Sequence, residues 1–106
     1  MAFPRIVATA TTNGTSASQT PTVNLPSNIH PGDLLFCVMR SADANSYAFP
    51  SGWVELVDAS PDSSVDGSAI AYKVADGSEV TSMVVTLSTN SAKFAAIVHR
   101  IVDYDD

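Results

Sequence analysis

Three residues in the chain have side chains suited to acid–base, nucleophilic or soft-metal chemistry: His30, His99 and Cys37. Nucleophilic catalysis needs a base within hydrogen-bond reach of the attacking group. His30 precedes Pro31-Gly32 and so belongs to a turn, while His99 sits beside Arg100 in an apolar segment, and no Gly-x-Ser-x-Gly elbow accompanies either. His30 is therefore expected as a solvated loop residue and His99 as an outward or interface position. Cys37 lies inside the run Leu34-Leu35-Phe36-Cys37-Val38-Met39. A single cysteine closes no internal disulfide, and reactive thiols need exposure and nearby positive charge, so Cys37 is expected as a small buried hydrophobe. These three residues are too far apart in sequence for a zinc site.

The carboxylates offer little more. Asp58, Asp62 and Asp66-Gly67 crowd one segment, but their four-residue spacing departs from the alternate-residue ligands of an EF-hand loop, and they read as solvated turn aspartates. Glu55 and Glu79 are the only glutamates. Glu55 shares a strand face with Trp53, which puts a carboxylate beside an aromatic ring, yet glycoside hydrolysis needs one acid held in an apolar setting, and a rim position accounts for both glutamates. Asn13-Gly14-Thr15 fits the glycan-acceptor pattern, but with no signal peptide in view it reads as a turn. The 5 glycines are dispersed and form no phosphate cradle. No catalytic residue, cofactor or metal is assigned. There remain Tyr47, Phe49 and Trp53, gathered around the turn Pro50-Ser51-Gly52, as an interface anchor or a ligand platform, or with Trp53 plugging one end of the fold.

The elements that must position these residues are strands. The 106 residues make one domain, 45% apolar and only 15% charged, with 14 Ser and 9 Thr covering the surface in place of long charged chains. Proline and glycine interrupt the chain at short intervals, and between them β-branched runs predict strands over 5–11, 20–25, 33–41, 53–59, 68–75, 82–89 and 93–103. Seven strands at near-regular spacing imply an all-β, antiparallel sandwich of jelly-roll or immunoglobulin-like type. Alternation puts Ile70, Tyr72 and Val74 on one face of the fifth strand and Met83, Val85 and Leu87 on one face of the sixth. Trp53, Tyr72, Val85 and Leu87 are accordingly expected in the core. The third segment shows no alternation and is expected to be covered on both faces, as a central strand or by a partner subunit. The last segment, from Phe94 to Val102, also suits a short helix; strand is the stronger reading. Segments 11–19 and 41–48 read as loops.

Net charge is −6, with 5 basic residues scattered singly, which argues against nucleic acid and against an anionic membrane surface. No apolar run approaches the roughly 20 residues of a spanning helix.

Three motifs occur in succession: Pro26-Ser27-Asn28-Ile29-His30-Pro31-Gly32-Asp33-Leu34-Leu35, Phe49-Pro50-Ser51-Gly52-Trp53-Val54-Glu55-Leu56, and Ala71-Tyr72-Lys73-Val74-Ala75-Asp76-Gly77-Ser78-Glu79. Their order resembles a β-sandwich module found in many virion proteins of tailed bacteriophages, over about residues 20–103. On physical grounds each motif is scaffold: Pro31-Gly32-Asp33 and Pro50-Ser51-Gly52 are tight turns, and Asp76-Gly77-Ser78-Glu79 is expected as a hairpin loop between the fifth and sixth strands. The resemblance supplies no catalytic residue. It implies a non-enzymatic particle protein, made in the host cytoplasm and resident in the virion. Family members often run past the strand at Arg100-Ile101, whereas this sequence ends at Asp106, either as a minimal version or as part of a longer protein. The leading expectation is a capsid decoration (cement) protein that binds the major capsid protein and self-associates, a homotrimer being favoured. The alternative is a tail-fibre, receptor-binding or carbohydrate-binding module using Tyr47, Phe49 and Trp53.

Overall fold

The computed structural model describes residues 4–14, 20–41, 46–59, 67–88 and 93–103. Among the described residues nine strands follow one another: β1 (Arg5–Gly14), β2 (Thr22–Asn24), β3 (Leu34–Ser41), β4 (Tyr47–Ala48), β5 (Val54–Ala59), β6 (Gly67–Val74), β7 (Ser82–Val84), β8 (Thr86–Leu87) and β9 (Phe94–Val102). Every ladder is antiparallel. Five strands form one sheet in the order β1-β9-β3-β6-β5, and the ladders β2-β7 and β4-β8 lie across one of its faces. The all-β antiparallel sandwich expected from the sequence is the observed class, and Phe94–Val102 is a strand.

The core lies between the layers. Leu35, Cys37 and Met39 of β3, Ala69 of β6, and Ala96 and Val98 of β9 face Val23, Tyr47, Met83 and Leu87 of the short ladders and Val85 between β7 and β8. Cys37 is fully buried, as its apolar run required. Burial pushes its thiol up to about 12, because a thiolate there would have no water around it. Met83, Val85 and Leu87 face inward as alternation predicts.

Several expectations are corrected. The segment 82–89 is two strands, because the chain changes partner at Val85, whose N–H donates to the carbonyl of Pro21 at 3.1 Å. The expected loop at 41–48 contains β4, and β1 runs on to Gly14. Asn13 and Gly14 therefore pair with Ala95 and Phe94 in a ladder and make no turn. Glycine is required at position 14 because the Phe94 ring lies where a Cβ would stand. On β6 the expected face is reversed: Ala69 and Ala71 are fully buried, while Val74 is exposed and Tyr72 only half-buried. On the inner side Ala69 and Ala71 lie beside Met39 and Cys37 of β3, and the larger side chains of β6 turn outward. β3 likewise alternates, with Leu35, Cys37, Met39 and Ser41 inside, Leu34 and Phe36 half-buried and Val38 and Arg40 exposed on the other face. The segment Asp76-Gly77-Ser78-Glu79 is no hairpin, since β6 and β7 belong to different ladders; it carries the chain from one layer to the other. Trp53 is half-buried and packs against the core.

Candidate functional site

The three motifs converge on one end of the five-stranded sheet. Gly32 has φ of 91°, a conformation that glycine adopts without steric cost, and its N–H donates to the Ala75 carbonyl at 2.8 Å. The Ala75 N–H returns a bond to the Asp33 carbonyl at 2.7 Å, so the first and third motifs are laced together. Asp33 Oδ2 accepts from the His30 N–H at 2.9 Å and from Arg100 Nη1 at 3.0 Å. Gly77, with φ of 93°, tucks against Pro31, where a Cβ would come within 3.0 Å of the proline ring.

A second ion pair stands beside this one. Lys73 Nζ meets Glu79 Oε2 at 2.9 Å. Glu79 also accepts from the backbone N–H groups of Asp76 and Gly77, at 3.1 and 3.0 Å, and its side chain is only 3% exposed. Lys73 and Arg100 both lie across from Leu35 on neighbouring strands, so the two pairs flank one core leucine. Gly52 of the second motif approaches the Lys73 stem: a Cβ there would stand 3.1 Å from Cε. Burial by itself pushes the Glu79 carboxyl up, but the Lys73 ammonium and the backbone donors outweigh it and hold it below its ordinary value of 4.5. Asp76 is held down to about 2 by the hydroxyl and the N–H of Ser78. The charged groups of this knot are engaged with one another and with the backbone. Arg100 Nε is buried there without a hydrogen-bond partner.

The aromatic group does not form one platform. Tyr47 is 4% exposed and its hydroxyl shares a 2.7 Å hydrogen bond with Ser41 Oγ, so its ring belongs to the core and offers no face to a ligand. Phe49 and Trp53 do meet, with ring centroids 5.9 Å apart and planes tilted by 31°, and both pack against the core from its margin. His30 is exposed, and His99 lies half-buried with Nδ1 2.9 Å from Thr9 Oγ1 on the neighbouring strand. Asp62 and Asp66 lie outside the described residues, as does Thr15. Among the described residues no three His, Cys, Asp or Glu side chains gather as a metal site would require.

The surface feature that alternation did not reveal is the outer face of the large sheet. One register row crosses all five strands: Thr11, Ile97, Val38, Ile70 and Val57. The next contains Thr9, His99, Phe36, Tyr72 and Val54, and beyond it Ile101, Leu34 and Val74 continue the apolar surface. Val38 and Ile97, at its centre, are 40% and 41% exposed. A shallow recess over Ala95 is bordered by Val38, Arg40 and Ile97. The signal for this face was present in the sequence, in the two-sided apolar character of β3 and the large residues of β6.

No family model matches the chain, nor does any curated protein or any solved structure.

Proposed function

We propose that this chain is a non-enzymatic structural component of a tailed-bacteriophage particle, a decoration protein of the head shell built on a jelly-roll or immunoglobulin-like sandwich. The observation that carries this reading is the division of labour in the fold. The polar groups of the three motifs are occupied in holding one end of the sandwich together, and among the described residues the outer face of the large sheet is an apolar surface marked only by the shallow recess over Ala95. Such a molecule acts by contact, and a shell gains stability from any protein that binds its assembled state alone. The order of the motifs, which resembles that of phage virion modules, supports the particle assignment.

Immunoelectron microscopy with antibodies against the purified chain tests it on particles from the source lysate. Label spread over the head is the expected result, together with loss of heat resistance in particles lacking the protein. Label confined to the tail would support the receptor-binding alternative, which now rests on Phe49 and Trp53. In that case Trp53→Ala would abolish adsorption to the host. Absence of label from every particle overturns the assignment.

A further inference from the structure

We infer that the outer face of the five-stranded sheet is the interface with a second copy of this chain, packed face to face about a two-fold axis. The inference rests on the reading of this protein as one that acts by contact; it does not depend on the assignment to the head shell.

Three observations choose the occupant. The first is charge. The chain carries 11 acidic residues against 5 basic ones, so two copies repel wherever carboxylates meet. Yet among the described residues no carboxylate lies on this face, where the groups able to carry charge are Arg40 on β3 and His99 on β9. An acidic protein that pairs with itself needs such a surface, whereas a basic partner would gain nothing from it. The second is area. Strand spacing of about 4.8 Å and a rise of about 3.4 Å per residue give the face a footprint of roughly 650 Å². Two copies would then bury about 1,300 Å² in total, within the range of specific protein interfaces and well above most adventitious contacts. The third is shape. The face is a twisted sheet of β-branched and aromatic side chains, the surface that packs on a second sheet about 10 Å away in any sandwich. The recess over Ala95, bordered by Val38 and Ile97, gives a side chain of the partner a seat. A single continuous patch pairs with itself isologously and closes at two copies, whereas the trimer expected from the sequence needs two different patches on each copy.

The test is the mass of the purified chain in solution, by sedimentation, with single substitutions on and off the face. The native chain is expected at twice 11.1 kDa at about 100 μM. Val38→Glu and Ile97→Glu place a carboxylate at positions that are partly wet in the single copy, so each should fold yet weaken pairing by about 100-fold or more. Val84→Glu, at a somewhat more exposed site on β7 in the other layer, should leave the mass unchanged. If a glutamate prevents folding, Val38→Thr and Ile97→Thr keep the β-branched shape and should still weaken the pair. A single-copy or three-copy mass for the native chain overturns the inference, as does a pair that survives both face substitutions or is broken by Val84→Glu. Failure here leaves the particle assignment standing, and a pair that never reaches a particle does the reverse.

Discussion

At the residue scale, the side chains with the most chemical potential are used for structure, and each can be tested alone. Leu87 is fully buried opposite Tyr47, so Leu87→Ala should lower stability by about 2 to 5 kcal/mol in a denaturant titration, the larger values applying if the cavity cannot collapse. Glu79→Gln removes the charge that pairs with Lys73 while keeping the shape, and should cost about 2 to 3 kcal/mol, since two backbone donors and a partly buried ammonium lose their anion. Cys37 should resist alkylation in the folded protein and react at once in denaturant, because its thiol is enclosed and pushed up to about 12. Its burial was legible from the run around it. The role of Glu79 was not, because nothing local in Asp76-Gly77-Ser78-Glu79 indicates that the carboxylate reaches back to Lys73 and its own turn.

At the scale of elements, alternation placed Met83, Val85 and Leu87 inward as they are and failed on sign at β6. A strand with large residues at Ile70, Tyr72 and Val74 and small ones at Ala69 and Ala71 has two faces, and the usual inference buries the larger set. Here the fully enclosed set is Ala69 and Ala71, beside Met39 and Cys37 of β3. Ala71→Leu should therefore be the damaging change, costing about 1 to 3 kcal/mol in thermal or denaturant unfolding by overpacking. Tyr72→Ala should disturb the single copy less and the pair more. Strand count failed for a related reason. Segment 82–89 is one run of alternating residues in sequence, and only its partners, β2 and β4, divide it into β7 and β8. The turns at Pro31-Gly32 and Pro50-Ser51-Gly52 were legible, since their glycines take a positive φ that local sterics favour, whereas the turn expected at Asn13-Gly14 is drawn into a strand by its partner β9.

At the scale of the whole molecule, three titrating groups bound the pH range of full stability, two on the acid side and one on the alkaline side. Asp76 and Glu79 are held below their ordinary values of 3.8 and 4.5, so the folded state binds fewer protons than the unfolded chain in acid. Their contribution is present above those values and is lost as pH falls, for Asp76 through about 2. Cys37 acts at the other end: its contribution is complete below 9.0 and is lost as pH rises toward about 12, because unfolding then frees a thiolate. The melting temperature is expected to fall on both sides of this range, with the alkaline fall reduced in Cys37→Ala. The strand order also has a consequence in time. β9 is made after the other eight described strands, yet it lies between β1 and β3, which the ribosome has released long before. Until Phe94–Val102 emerges, the sheet lacks a central member, and β1 and β3 each present an unpaired edge to any neighbouring nascent chain. Synthesis halted before β9 should thus yield inclusion bodies instead of a shortened soluble protein, and β9 supplied separately as a peptide should rescue it.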